Sequence, residues 1–341
     1  MRRKGRGLNL GWGAEHARTR TMPTASSPQF SDARSHQLAF VANPVAGHGR
    51  ARAIIDDLAL ASGAAGLSGP IHVSRYPGHA TALARQSVES GATLVVAVGG
   101  DGTAGEVAEA LVGTDATMGI IAAGGGNDLA RVFGLSPLRS GPLALAQNLR
   151  ELVEARALRL DAVAAAGRIS LQASGVGLDA YVTGVRARSR LRPPALAYAF
   201  SAVTGLLRWS PRPMRVTIDG VIAHDGAAFA VTIANTSTYG SGLKIAPGAN
   251  PTDGLADIAI IGDIGRVEAL RLFPSVYRGG HVGHPKFALL RGTHVRIETH
   301  TEDIPTHVDG TVIDATAATT SFEAHVIPGA VKVAVPKPEW R

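Results

Sequence analysis

The chain has 341 residues, 45% of them hydrophobic and 41 of them glycine, enough for a sizeable core, two domains and many turns. It contains no cysteine, which excludes disulfides, thiolate metal sites and cysteine nucleophiles, and no apolar run reaches the about 18 residues of a membrane-spanning helix, so a membrane contact is expected to be peripheral. The net charge of +7 is concentrated in residues 1–36, where seven basic side chains face only Glu15 and Asp32; the +2 left for the rest argues against a nucleic-acid partner.

Residues 1–36 mix Arg, Gly, Ser, Thr and Pro without a period and are expected to form a disordered basic leader. The stretch GLNLGWGAEH lacks the apolar core of a signal peptide, and Met22 is an alternative start. Order is expected from Gln37, with a strand through Phe40 that ends in Asn43-Pro44-Val45-Ala46-Gly47 and a helix from Arg50 to about Ala61. Ile71-His72-Val73-Ser74 reads as a short strand, and Pro77-Gly78-His79 opens another helix. Leu94-Val95-Val96-Ala97-Val98 is the pattern of a strand buried on both faces. It runs into Gly99-Gly100-Asp101-Gly102-Thr103, and helical spacing follows from Ala104. A third unit, Gly119-Ile120-Ile121-Ala122-Ala123, leads to Gly124-Gly125-Gly126-Asn127-Asp128.

Strand, glycine turn and helix start together present backbone N–H groups where a phosphate is stabilised, although one such turn alone is equally a tight connection with no ligand. Asp101, a carboxylate in a loop suited to anions, points to a metal or a hydroxyl as its partner. Units of this kind in series predict an open, mostly parallel Rossmann-like sheet with ligand loops at the strand C-termini. Near residue 158 the pattern changes to short strands split by Gly, Asp and Pro, a β-rich, sandwich-like second domain. Within it, residues 194–209 read as an apolar helix flanked by Arg186, Arg188, Arg190, Arg192, Arg208 and Arg212, either a core helix or a lipid-facing one. Residues 266–276 read as a further helix. The expected divisions are 1–36, 37–157, 158–325, and 326–341 returning to the first domain. His281, His284, His294 and His300 lack the spacing of a metal site, and no serine occupies a nucleophile elbow.

These motifs, in this order, resemble the diacylglycerol kinase catalytic-domain family of bacterial lipid kinases and sphingosine and ceramide kinases, distantly related to NAD kinase. The likeness runs from Gln37 to near Pro336. It is carried by Asn43-Pro44 with Gly47, Gly99 to Thr103 with Glu106, Gly124 to Arg131, Gly175-Val176-Gly177-Leu178-Asp179-Ala180, Pro247-Gly248-Ala249 with Asp253-Gly254-Leu255-Ala256-Asp257, and Asp309-Gly310-Thr311.

The resemblance implies an ATP-dependent kinase with its nucleotide between the domains. Asn43, Pro44, Gly47, Ser74, Gly99, Gly100, Asp101, Gly102, Thr103, Glu106, Gly125, Asn127 and Asp128 would then surround ATP. Asp101 and Asp309 would be the catalytic carboxylates, and a structural Mg²⁺ would lie at Asn250, Asp253 and Leu255. The acceptor would be a lipid alcohol, diacylglycerol-like or sphingoid, met at the inner surface of the cytoplasmic membrane in phospholipid biosynthesis, and a homodimer follows by analogy. Four departures stand out: Thr311 replaces the glutamate proposed as the family's base, Gly105 an asparagine, Gly125 a threonine and, more mildly, Gln172 an asparagine frequent in relatives. The alternatives are an NAD kinase-like enzyme with a soluble acceptor, or a nucleotide- or lipid-binding protein that has lost turnover.

Overall fold

The computed structural model describes residues 37–135, 141–189, 191, 194–299, 304–313 and 320–338. The expectations for residues 1–36 and for Arg190, Arg192 and His300 lie outside the described residues.

Four parallel strands form the first lobe, β1 (Leu38–Ala42), β2 (Ile71–Val73), β3 (Leu94–Gly99) and β4 (Thr117–Ala122), side by side in the order β2-β1-β3-β4. Every residue of β1 and β3 is buried, because helices cover both faces. Phe40, Val96 and Val98 meet α1 (Arg50–Ala64) and α5 (Pro142–Glu154), while Val41, Val95 and Ala97 meet α2 (His79–Glu89) and α3 (Asp101–Leu111). The short α4 (Asp128–Val132) follows the glycine turn after β4. Helix α3 starts three residues before the periodic apolar positions begin. Asp, Gly and Thr occupy its first turn, where the backbone N–H groups need no intrahelical partner and an acidic residue is favoured.

The second lobe begins with β5 (Arg156–Ala165), β6 (Arg168–Ser170) and β7 (Ala173–Gly177), followed by α6 (Leu178–Arg188) and α7 (Pro194–Arg208). Antiparallel strands β8 (Arg212–Ile218), β9 (Val221–Ala234) and β10 (Ala256–Gly262) come next, then α8 (Arg266–Val276), β11 (Phe287–Gly292) and β12 (His294–Thr299). The hairpin of β13 (Thr306–Val308) and β14 (Thr311–Ile313) and the long β15 (Ser321–Val335) complete it. Strand β9 pairs with β7, β8 and β10 at the lobe's centre. Strand β15 begins against β12 and ends parallel to β4, where Lys332 faces Thr117, and β5 pairs with it along its length. These two strands tie the lobes into one hydrogen-bonded sheet.

Candidate functional site: a cleft at the strand C-termini

The glycine turns after β1, β3 and β4 converge. Gly47 has φ +59, and a Cβ there would fall 2.1 Å from the Ala123 carbonyl oxygen; a Cβ on Gly124 would fall 2.4 Å from Gly100 Cα. Side chains at these positions would wedge the turns apart, which is the physical reason for glycine here. Arg50 pins the arrangement, donating to the carbonyls of Gly124 (2.5 Å) and Gly47 (3.3 Å). Asn43 accepts from Val45 N–H (3.1 Å) and donates to Thr103 Oγ1 (3.2 Å), joining the first turn to the start of α3. Asn43, Val45, Gly47, Gly100, Thr103 and Gly124, together with Pro44, Ser74, Gly102 and Gly125, line an open cleft of about 700 Å³, within the size range of small-molecule sites.

Glu106 also lines the cleft, but its carboxylate accepts from Gly78 N–H (2.9 Å) and Ala80 N–H (3.0 Å), capping the N-terminus of α2. Its carboxylate thereby holds the start of α2 against the wall of the cleft. Asn127 adopts φ +54, donates to the Gly124 carbonyl (3.1 Å) and leaves a buried Oδ1 without a partner.

Asp101 and Asp128 meet on either side of Gly126; a Cβ there would lie 3.1 Å from Asp101 Oδ2 and 3.2 Å from Asp128 Oδ2. Asp101 Oδ1 accepts from Leu129 N–H (3.0 Å) and from Gln172 Nε2 (2.9 Å), whereas Oδ2 accepts no hydrogen bond among the described residues. Asp128 is buried, paired with Arg131, and accepts from Ser241 N–H (2.7 Å) across the lobes. Burial, with Asp101 adding to it, pushes its pKa above the ordinary carboxylate value.

Asp309 behaves differently from expectation. Its Oδ1 accepts from Ser170 Oγ (2.5 Å), Gln172 N–H (3.0 Å) and Ala173 N–H (3.1 Å), and its Oδ2 from Leu171 N–H (2.7 Å). Desolvation still raises its pKa despite these donors. A carboxylate wrapped in this way clamps residues 170–173. The clamp fixes Gln172, whose side chain in turn orients Asp101. Thr311, beyond the tip of the β13–β14 hairpin, is exposed.

The cation site expected at Asn250, Asp253 and Leu255 does not fit the donors present. Asp253 Oδ2 is paired with Arg291, and its Oδ1 accepts from Leu255 N–H (3.1 Å). Asn250 Oδ1 accepts from Thr252 Oγ1 (2.7 Å) and N–H (3.1 Å). The guanidinium already neutralises the carboxylate that a divalent ion would need.

Beneath α7 and α8 lies an apolar cavity of about 90 Å³, lined by residues such as Leu206, Phe229, Ile261 and Leu272. Asp179, Thr232 and Tyr239 form a polar wall, with Thr232 Oγ1 donating to Asp179 Oδ2 (2.8 Å) and His307 Nε2 3.1 Å from the same oxygen. Sequence reasoning missed Arg50 and Ser241 as organising residues, because neither carries a motif signal, and marked Gln172 only as a mild departure from an asparagine in relatives, without its contact to Asp101.

Residues 37–164 match the family model of the diacylglycerol kinase catalytic domain, and residues 172–335 that of the YegS C-terminal NAD kinase beta sandwich-like domain. The chain is 30% identical over 274 residues to a diacylglycerol kinase of Mycobacterium tuberculosis, an alignment spanning 80% of this chain and 84% of the relative. A diacylglycerol kinase crystal structure from Bacillus anthracis superposes with a TM-score of 0.66 at 20% identity, covering 88% of this chain and 97% of that one. The yeast NADH kinase complexed with NADH shares the fold, with a TM-score of 0.51 at 10% identity and coverage of 90% and 85%.

Proposed function

Because the chain belongs to the diacylglycerol kinase catalytic-domain family, and is thereby a lipid kinase, a phosphotransferase with an alcohol acceptor, we propose that it moves the γ-phosphate of ATP, bound in the cleft at the strand C-termini of the first lobe, to a diacylglycerol-like hydroxyl. The observation that carries this reading is the free Oδ2 of Asp101 at a turn built for phosphate, held in place through Oδ1 by Leu129 N–H and Gln172.

In this mechanism the turns 43–47, 99–103 and 124–127 cradle the phosphates with backbone N–H groups and the N-terminal end of α3. Asp101 Oδ2 faces the reacting centre, where it takes the proton of the acceptor hydroxyl as the phosphoryl group arrives in line. The Mg²⁺ that accompanies ATP would be held by the phosphates and would supply charge neutralisation for the transferring group; Asp128, paired with Arg131 and accepting from Ser241 N–H, is not free to ligate it. Asp309 acts at one remove, clamping 170–173 so that Gln172 keeps Asp101 oriented. Thr311 takes no part in proton transfer, since a threonine hydroxyl does not accept a proton at neutral pH.

The acyl chains go to the second lobe. At about 90 Å³ the apolar cavity holds only a few methylene groups, so an acyl chain requires α7 and α8 to part. The outer face of α7 supports approach from a lipid surface: Leu196, Phe200, Val203 and Leu207, at helical spacing, are 37–62% exposed, while Tyr198, Ala202 and Leu206 on its inner side are buried. Arg188 precedes the helix, and Arg208, Arg212 and Arg266 are exposed around its end, with Arg266 donating to Ser210 (2.9 Å). An apolar stripe between basic ends suits an anionic bilayer.

The test is transfer of radiolabel from γ-labelled ATP, with magnesium, to dioleoylglycerol and to a sphingoid base in mixed micelles, with NAD in plain buffer alongside. Labelled diacylglycerol is the expected product. Label in NAD, or ATP binding with no labelled product at all, would overturn the assignment.

A further inference from the structure

Three and six residues after the end of β2, the shortest strand of the parallel sheet, the chain carries two aromatic rings in contact. Tyr76 and His79 stack with centroids 4.5 Å apart and an interplanar angle of 7°. Several bonds fix this pair. Glu106 holds Gly78 and Ala80 from below, His79 N–H donates to the Tyr76 carbonyl (3.1 Å), and Arg75 N–H donates to His79 Nδ1 (3.1 Å), setting the orientation of the imidazole. Tyr76 lines the cleft and His79 does not, so the imidazole backs the phenol ring on its far side. Tyr76 is nonetheless 63% exposed, a large aromatic surface left open at the rim of a polar cleft. Val45, 75% exposed, lines the same cleft from the turn after the neighbouring strand β1. Tyr76 belongs to no motif read from the sequence, and Val45 is an unspecified position within the first glycine turn.

We infer that Tyr76, braced by His79, is the shelf on which the nucleobase of the phosphate donor stacks, with Val45 contributing an apolar contact from the adjacent turn. This rests on reading the cleft as a nucleotide site, and it adds what the glycine turns cannot supply. They bind phosphates and are blind to the base, whereas a flat ring at the cleft rim offers a π-face to any purine. A shelf reads the face of a base and not its hydrogen-bonding edge. Tyr76 therefore contributes affinity for adenine and guanine alike, and the specificity it confers is for a nucleotide over a bare polyphosphate.

The experiment is titration calorimetry of the full chain with Mg²⁺ and ATP, GTP or inorganic tripolyphosphate, for the wild type, Tyr76→Ala and Tyr76→Trp. The shelf predicts that Tyr76→Ala binds ATP and GTP more weakly by the same factor, roughly 5- to 150-fold, with tripolyphosphate affinity unchanged and Tyr76→Trp restoring the loss. In turnover, KM for ATP should rise while kcat holds, which a damaged fold would not produce. Equal ATP affinity in wild type and Tyr76→Ala would overturn the shelf while leaving the nucleotide cleft standing, and so would an equal loss for tripolyphosphate. Failure of the wild type to bind ATP or tripolyphosphate would overturn the cleft reading and the shelf with it.

Discussion

Asp101 and Asp309 were both visible in the sequence as carboxylates beside glycines, yet they occupy opposite situations. Asp101 was legible because its surroundings are local: strand, turn and helix start are contiguous and place it in the first turn of α3. The surroundings of Asp309 are not local. Its donors, Ser170 to Ala173, lie 136 to 139 residues earlier, and no spacing rule reaches that far. Asp257 is a third case, buried with Oδ2 unpartnered and Arg291 Nε 3.7 Å from Oδ1. Burial raises its pKa more than the guanidinium lowers it. The native state therefore holds this proton more tightly than the unfolded chain, whose value is about 3.9. Its contribution to stability is present below that value and is lost as pH rises through the higher folded one. Melting curves of Asp257→Asn and wild type between pH 4 and 7 should accordingly shift in favour of the variant as pH rises. A difference that stays constant, or moves the other way, would show that Asp257 is not held protonated by burial.

At the level of elements, the parallel strands and most helices could be read from apolar periodicity because both faces of β1 and β3 are covered. The start of α3 could not, since its first turn holds Asp, Gly and Thr and displays no apolar period. The loop 250–255 shows the limit of motif transfer. Its residues match the family pattern, but the group that neutralises Asp253 arrives from β11, on a strand with no motif of its own. The loop is thus tied by a guanidinium, and thermal melts with and without EDTA should coincide for the wild type. Arg291→Gln should melt lower and recover part of the loss in millimolar Mg²⁺, because the freed carboxylate becomes an oxygen ligand. A fall in wild-type melting temperature on chelation would contradict this account of the loop.

Across the whole molecule, two strands join a lobe with an open cleft at its glycine turns to a lobe with an apolar cavity. The sequence suggested a helix at 194–209 and left open whether it served the core or a lipid surface. The structure shows apolar residues on both sides of α7, which a periodicity argument cannot resolve because such a helix has no polar face to mark its outside. Phe200→Glu with Leu207→Glu should therefore abolish co-sedimentation with vesicles containing phosphatidylglycerol while leaving ATP binding and the melting temperature near wild type. Retained sedimentation would shift the contact to the basic leader, and a wild-type dimer that the double variant converts to monomer would assign the stripe to a second copy of the chain.

The measurement that bears most directly on the central claim, a lipid kinase working through the free oxygen of Asp101, is turnover of Asp101→Asn on diacylglycerol micelles, with ATP affinity determined on the same preparation. The account predicts a rate lower by about 10²- to 10⁴-fold, with ATP affinity within a few-fold of wild type. A wild-type rate in that variant would contradict it.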